Sequence, residues 1–317
     1  MAETATLVLS AEEIKAEAKS LGFYACGLAP AGPVDTSHTA FLARWLNRGQ
    51  HAGMDYMNRH TEMRTDPAQL LEGARTVVSL ALGYYPARQL PPDRPQLAWY
   101  AYGQDYHDLM RRKLHTLLER LQARQPSGTL HGRCCCDTAP VLERYWAWRC
   151  GLGWTGRHTQ LVIPRAGSAF FLGELLLDQP ADRYDTPQPS QCGECRRCLE
   201  ACPTGALSDT DGLDARRCLS YLTIEHRGEI PAGAARKMSP YFYGCDRCLL
   251  ACPHLRHAEP TQEAALQPRP ELLEMTAERW QQLTVDEYRA LFKGSAVKRA
   301  KYEGLMRNIR AMNGECT

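Results

Sequence analysis

The sequence predicts an α+β fold in three parts: a mixed domain at 1–183, a cysteine-rich domain at 184–260 and a short helical tail at 261–317. Helical and strand patterns both occur in the first part, but they do not alternate regularly enough to require a parallel sheet. A proline-rich stretch with few apolar residues, at 179–191, separates it from the cysteine-rich part. Apolar residues at helical spacing then resume beyond 270.

The elements of the first part follow from local signals. Ser10 and Glu13 have the spacing of a capping box, and Gly22 can end a helix in the left-handed conformation, so a helix is predicted at about 10–21. A long amphipathic pattern predicts a second helix at 106–124, and Pro140 near a first turn predicts a third at 139–150. Apolar runs predict core strands at 24–28, 76–85, 161–164 and 168–178.

The composition is that of a soluble globular protein. The chain has 317 residues, of which 44% are apolar and 23% charged, with a formal charge of +2, which excludes disordered and collagen-like classes. No run approaches the ~18 apolar residues of a membrane helix, and the N-terminus lacks the pattern of a signal peptide. We therefore expect a cytoplasmic protein without membrane contact. In a reducing compartment, clustered thiols indicate metal binding and not disulfides.

The first cysteine motif is Cys192-x2-Cys195-x2-Cys198-x3-Cys202-Pro203. This is the bacterial ferredoxin spacing, in which three thiolates hold one [4Fe–4S] cluster and the fourth binds the other. Zinc is the alternative, but zinc sites use two separated ligand pairs, which this run does not resemble. The motif favours iron–sulfur clusters.

The second motif, Cys245-x2-Cys248-x3-Cys252-Pro253, lacks the leading cysteine of the first because Phe242 stands there. A cube needs four ligands, and Cys218 is the one cysteine of the segment that remains unassigned. Two ligand sets follow: Cys192, Cys195, Cys198 and Cys252 for one cluster, and Cys202, Cys218, Cys245 and Cys248 for the other.

Longer stretches resemble the epoxyqueuosine reductase family, whose members use cobalamin and iron–sulfur clusters. The specific ones are DTAPVLERYWAWRCGLGWTGRHTQLV at 137–162, YFYGCDRCLLACP at 241–253 and FKGSAVKRAKYEGLMRNIRAMNG at 292–314. The resemblance implies an oxidoreductase that reduces epoxyqueuosine to queuosine in the wobble position of tRNA. It also implies base-off cobalamin, two [4Fe–4S] clusters and an external low-potential electron donor.

The family's proton donor falls on Asp137, the first residue of DTAPVLER. A carboxyl group that donates a proton at neutral pH must stay protonated, and burial beside a corrin would favour that form. The alternative is that Asp137 caps a helix beginning near Ala139, a role that can coexist with the first.

Cobalamin contacts are carried over from the resemblance alone. His107 is not expected to bind cobalt, because the Asp-x-His-x-x-Gly signature is absent around it. Leu161 and Leu172 have a plain core role as their alternative, and Arg64 a solvated surface role. The positions that line up with family contacts are Arg64, Asp137, Leu161, Leu172, Ser220, Cys245 and Asp246.

Three features depart from the family pattern. The run Cys134–Cys136 before Asp137 is either a metal or reactive thiol patch or, in the favoured interpretation, a strand in which cysteine is a small buried hydrophobe. Trp99 replaces an arginine that many relatives have. Relatives often extend into a helical repeat domain beyond the length of this chain, so any RNA contact of that domain must come from elsewhere.

The remaining partner is RNA. Between Arg289 and Arg310 the tail has seven Lys or Arg and one Glu, which would suit phosphate contacts or equally a solvated helix face. A monomer is expected. Three alternatives stay open at this point: a corrinoid reductive dehalogenase, a ferredoxin-type electron carrier without corrin, and an RNA-binding protein with structural clusters.

Overall fold

The computed structural model describes residues 8–126 and 128–315 and confirms the α+β class. Within those ranges no helix is both long and apolar enough to cross a membrane. The helices are α1 Ala11–Ser20, α2 Thr36–Asn47, α3 Thr61–Thr65, α4 Tyr106–Ala123, α5 Glu143–Arg149, α6 Arg197–Glu200, α7 Leu219–Ile224, α8 Ala232–Ala235, α9 Arg247–Leu250, α10 Pro270–Leu273, α11 Ala277–Gln281, α12 Val285–Leu291 and α13 Lys301–Met312. The strands are β1 Ala25–Pro30, β2 Thr76–Gly83, β3 Gln96–Leu97, β4 Gly132–Cys135, β5 Trp154–Thr155, β6 Leu161–Val162, β7 Phe170–Leu177, β8 Leu207–Ser208, β9 Gly212–Leu213 and β10 Tyr241–Tyr243.

The central sheet has the strand order β1-β2-β7-β4, and every neighbouring pair is antiparallel. Helices α1 and α4 pack on one face and α5 packs on the other. Both faces are therefore buried, which explains why β2 and β7 read as continuous apolar runs and not as an alternating pattern. The four predicted strands are confirmed, although the one at 161–164 is only the two-residue β6.

The first helix begins where the capping signal placed it. Ser10 is the N-cap, its hydroxyl accepts the backbone N–H of Glu13 at 3.3 Å, and Gly22 follows the helix with φ of +85°. Because an L side chain is strained at that angle, glycine is the residue that lets the chain turn here into β1.

The helix predicted at 139–150 begins later, at Glu143. Residues 136–142 form turns instead, and Asp137 has a left-handed backbone with φ of +52°. Pro140 suggested a first helical turn, but it lies inside this loop. The interpretation of Asp137 as a helix cap is therefore wrong: Leu142 is the N-cap, and it has no side-chain capping bond.

The C-terminal helices share one core with the cysteine-rich segment. Phe242 and Trp280 are fully buried against each other, with ring centroids 4.7 Å apart, and Leu305 and Ile309 of α13 belong to the same cluster. Apolar residues of 90–102 complete it. The tail is thus part of the folded body around the cysteines.

The loop after α2 joins the mixed domain to the cysteine-rich segment. Trp45 donates its indole N–H to the carbonyl of Leu213 at 2.6 Å, and the backbone N–H of Gly53 donates to the Tyr221 hydroxyl at 2.8 Å. These bonds hold residues 45–53 against β9 and α7.

Candidate active site and cluster ligands

The thiols of the first predicted set lie near one another. Burial raises the pKa of Cys198, and the neighbouring Cys192 and Cys252 raise it further. Burial also raises the pKa of Cys252, to which Cys192 and Cys195 contribute. Helices α6 and α9, which carry the two CxxC turns, pack together. The Trp154 indole N–H donates to the Cys192 sulfur at 3.4 Å.

The second set is grouped in the same way. Burial raises the pKa of Cys248, and it raises that of Cys218 to about 11. The neighbouring Cys245 and Cys202 raise the pKa of both thiols further. The backbone N–H of Ala206 donates to the Cys202 sulfur at 3.3 Å. Across residues 8–126 and 128–315, no three Cys, His, Asp or Glu side chains converge closely enough to hold one metal ion. The ligand sets themselves stay a prediction, and the chemistry of eight grouped thiols fits two clusters.

The Cys134–Cys136 run is the buried strand end that the sequence favoured. Cys134 and Cys135 end β4; Cys135 and Cys136 are buried, and Cys134 packs in the core under α4. Burial raises the pKa of Cys134 to about 11 and of Cys135 to about 12, so both are neutral thiols at pH 7. This run is structural.

Asp137 follows that strand on the loop 136–142 and reaches back toward α4. Its carboxylate oxygen Oδ2 lies 2.8 Å from His107 Nε2, and its own backbone N–H donates to the Glu143 carboxylate. The side chain is 53% exposed, so Asp137 is at the surface and not in the buried setting expected from sequence. An exposed carboxyl group held at a fixed position can reach a bound ligand.

Sequence reasoning missed the partner of Asp137. His107 lies on the first turn of α4, and its other ring nitrogen Nδ1 is 2.6 Å from Asp105 Oδ1. Hydrogen bonds to Asp105 and then to Asp137 raise the pKa of His107 to about 9, so the ring is an imidazolium at neutral pH. Asp105, His107 and Asp137 thus form a continuous chain of hydrogen bonds. The sequence signal for this contact was Asp105, the capping residue at the start of α4.

Two further carboxyl groups lie close by: Glu143 is next to Asp137, and Glu174 is next to Glu143. Burial raises the pKa of both Glu143 and Glu174, and the neighbouring Glu143 raises that of Glu174 further. Glu174, in the middle of β7, is fully buried; it accepts a hydrogen bond from Ser79 at 3.1 Å through Oε1, while Oε2 has no partner among the described residues. Glu174 is therefore held in its neutral form.

Arg64 has a buried donor atom without a hydrogen-bond partner among the described residues. Its side chain is buried and donates through Nη2 to the carbonyl of Tyr56 at 3.0 Å, whereas Nε has no partner among the described residues. Burial and the neighbouring carboxylates Glu225 and Asp137 raise the pKa of Tyr56 to about 12. The structure therefore brings Arg64, Tyr56 and Asp137 near the end of α7. A buried donor without a partner fits a bound polar ligand such as a corrin amide.

The other predicted cobalamin positions differ in exposure. Leu161 is buried in the core under α5, and Leu172 is half-buried against it. Ser220 is half-buried on α7. Asp246 is buried, accepts the backbone N–H of Trp99 at 2.7 Å, and has a pKa raised by burial to about 7. Asp246 thus fixes the turn at Trp99, the position where the sequence departs from the family pattern.

Part of the basic tail is used internally. Arg307 donates to the carbonyls of Leu222, His226 and Gly228, and Arg299 forms a two-bond ion pair with Glu225. Both arginines tie the tail to α7 and the turn after it. The phosphate contacts predicted for this region must rely on its other basic residues.

Comparison with known proteins agrees with this arrangement. Residues 64–138 match the family model described as Epoxyqueuosine reductase QueG, DUF1730, and residues 191–254 match the one described as 4Fe-4S double cluster binding domain. The fold and the grouped thiols thus define an iron–sulfur protein of the double-cluster class, joined to an α+β domain.

The particular family is settled by the relatives. An epoxyqueuosine reductase of Cyclobacterium marinum is 42% identical over 307 residues, covering 96% of this chain and 97% of that protein. The chain belongs to the epoxyqueuosine reductase family.

Solved structures show the same similarity. The crystal structure of an epoxyqueuosine reductase with an epoxyqueuosine-modified tRNA-Tyr stem loop matches 96% of this chain and 80% of that one, with a TM-score of 0.85 and 28% identity. The Bacillus subtilis enzyme, with its catalytic aspartate loop swung out of the active site, matches with a TM-score of 0.84 and 27% identity.

Proposed function

We propose that this protein reduces epoxyqueuosine to queuosine in the wobble position of tRNA. The observation that carries the proposal is the carboxyl group of Asp137, which is exposed and held in place by His107. In the Bacillus subtilis relative a loop also bears the catalytic aspartate. The reaction needs two electrons and a proton source, and we place it in a cleft between the Asp137 loop, Arg64 and the end of α7.

Cobalamin is the group that we expect in the cleft, in its base-off form. It would supply a low-valent cobalt for the epoxide reduction, and the two [4Fe–4S] clusters would supply its electrons from an external low-potential donor. Arg64 Nε is a donor for that group, and Leu161, Leu172, Ser220 and the Cys245–Asp246 turn are the other proposed contacts. Trp154 and Ala206 hold two of the thiolates by N–H···S bonds.

The residues of this chain carry the proton chemistry. When the epoxide ring opens, its oxygen takes up negative charge and must be protonated. Asp137 is the proposed donor because its carboxyl group is exposed and His107 fixes its position. The anticodon loop must present the modified base splayed out of its stack to reach this depth.

We propose three domains: a cobalamin domain at 1–183, a ferredoxin-like domain at 184–260 and a basic tail at 261–317. We propose that the protein acts as a cytoplasmic monomer. The free basic residues of 289–310, including Lys293 and Lys298, are the proposed phosphate contacts.

The first test is composition. Anaerobically reconstituted protein should bind about eight irons and, after mixing with cobalamin, about one cobalt with base-off absorption bands. Cys218→Ser should reduce the iron to about four, whereas Cys134→Ala, a buried cysteine outside both sets, should keep it at about eight. Eight irons without bound corrin would refute the proposal and favour an electron carrier or RNA binder.

The second test is turnover. Epoxyqueuosine tRNA is incubated with the loaded enzyme and a chemical reductant, and its nucleosides are analysed by mass spectrometry. Asp137→Asn should lower the rate by about 100-fold or more. Asparagine is the suitable replacement because it tolerates the left-handed backbone that Asp137 adopts, so the loop keeps its course. An unchanged rate in this variant would refute the proton-donor role, and dehalogenation without epoxide reduction would favour the dehalogenase alternative.

A further inference from the structure

His107 lies between two carboxylates that come from different parts of the chain. Its Nδ1 is 2.6 Å from Asp105 Oδ1, and its Nε2 is 2.8 Å from Asp137 Oδ2. A neutral imidazole has one N–H and can donate to only one of these oxygens, whereas an imidazolium donates to both. An oxygen acceptor at each ring nitrogen therefore favours the doubly protonated ring.

The ring is fixed on three sides. Asp105 is the N-cap of α4, and the same oxygen that binds Nδ1 also accepts the backbone N–H of His107 at 3.1 Å. Tyr106 stacks on the imidazole at a centroid distance of 4.1 Å, and on its other neighbour Phe171 at 4.1 Å with a 6° angle between the planes. The helix start and the aromatic stack together set the direction of Nε2, which is toward Asp137.

The charges around the ring favour the protonated form. On its own helix it faces Asp105 and Tyr106, with Arg111 one turn further along; from the loop after β4 it faces Asp137, and from α5 it faces Glu143. The side chain is 22% exposed, so water can reach it. A proton on this ring is both stabilised and replaceable.

We propose that His107 is the positioning residue of Asp137 and also restores its proton, with Asp105 holding the ring. This inference rests on the proposed function of Asp137. After Asp137 has protonated the opening oxygen, the Nε2–H bond of His107 breaks and an O–H bond forms at Asp137 Oδ2. The imidazole is then neutral and keeps its Nδ1 proton on Asp105, and a proton from water restores the imidazolium. One proton enters for each proton delivered.

The first measurement needs no turnover. Histidines of the cluster-loaded protein are labelled with ¹⁵N, and ring signals are followed by NMR as the pH is raised; His107→Gln identifies the signal of interest. We expect His107 to stay protonated to about pH 9, and Asp137→Asn to lower its midpoint by about one to three pH units. A midpoint that Asp137→Asn does not move would overturn the proposed pairing, whatever the activity.

The second measurement is the pH profile of single-turnover reduction. His107→Gln retains an N–H donor for Asp137 but cannot give up a proton, so the rate should fall about tenfold or more with tRNA binding unchanged. The wild-type rate should also decline above about pH 9, and the variant should lack that decline. His115→Gln, an exposed histidine two turns along the same helix, is the matched control and should behave as wild type.

The outcomes separate this inference from the proposed function. An active wild-type enzyme whose rate and alkaline decline survive in His107→Gln would refute the relay and leave the proposed function standing. A wild-type enzyme that binds two clusters and cobalamin but leaves epoxyqueuosine tRNA unchanged would refute the proposed function, while the NMR midpoints would still decide the pairing. Circular dichroism and iron content equal to wild type would show that each variant is folded.

Discussion

The buried carboxyl group of Glu174 should make the protein less stable as the pH rises. Its side chain is fully buried in β7, and burial raises its pKa well above 4.5, the value of a free glutamate side chain. Between those two values the folded protein keeps a proton that the unfolded chain has released. The contribution of Glu174 to stability is therefore complete below about pH 4.5 and is lost progressively as the pH rises toward the folded-state pKa.

The size of the effect follows from proton linkage. Each pH unit between the unfolded-state and folded-state pKa of Glu174 costs about 1.4 kcal/mol, so two such units cost about 2.7 kcal/mol. For a chain of 317 residues, with an unfolding entropy of about 2.1 cal/mol/K per residue, this is a change of roughly 4 °C in the thermal midpoint. No correction for solvent screening applies, because the group is 0% exposed.

The test compares wild type with Glu174→Gln. The glutamine is isosteric, can accept the same bond from Ser79, and does not titrate. Thermal midpoints are measured at one scan rate on cluster-loaded protein under anaerobic conditions at two pH values. We expect the thermal midpoint of the variant to gain up to roughly 4 °C on that of wild type between about pH 5.5 and about pH 7.5. Glu72→Gln, at an exposed position, controls for the loss of one carboxylate. Parallel pH curves for Glu174→Gln and wild type would refute the reasoning.

Three further predictions concern packing and reactivity. Gly27→Ala should destabilise the protein by about 3 kcal/mol or more in a urea titration, because its Cβ would lie 1.9 Å from the carbonyl oxygen of Cys150, just after α5. Gly83→Ala is the control: its Cβ would lie 3.5 Å from the nearest atom, a carbon of the Phe170 ring, so stability should change by less than about 1 kcal/mol. Arg307→Lys should cost about 2 kcal/mol in the same titration, since an ammonium cannot replace a guanidinium across three carbonyls, whereas exposed Arg310→Lys should have almost no effect. Cys135 should resist iodoacetamide at pH 7.5 in the folded protein and react after unfolding, as judged by peptide mass mapping, because burial raises its pKa to about 12.

The sequence was most informative where a local signal decides the structure. Ser10 caps α1 because its hydroxyl meets an N–H three residues away, and β2 follows its apolar run because both faces of the sheet are covered. The start of α5 was placed wrongly because Pro140 suits a turn as well as a first helical position, and only the left-handed backbone of Asp137 distinguishes the two. A local hydrogen bond therefore determines the start of α1, and an apolar run identifies β2. The start of α5 depends on the backbone conformation of the loop before it.

The candidate site was predictable in its members but not in its connections. Asp137 was identified, whereas its partner His107 lies 30 residues earlier and is brought to it by the packing of α4 beside β4. The spacing of these residues along the sequence does not predict that contact. Arg307 gives the reverse case: its charge is visible in the sequence, but the carbonyls it serves are more than 70 residues away. The sequence therefore shows which side chains are charged, but the tertiary structure determines which groups they bind.

The shared core of Phe242 and Trp280 has a consequence for how the protein is made. The ribosome completes both cysteine motifs before it has added α11, α12 and α13, which cover them. At roughly 5–20 residues per second, the 57 residues from Cys252 to Ile309 take about 3–11 seconds. During that interval the thiols are present while their apolar cover is missing, so the nascent chain offers an open period for cluster delivery that closes once the last helix docks.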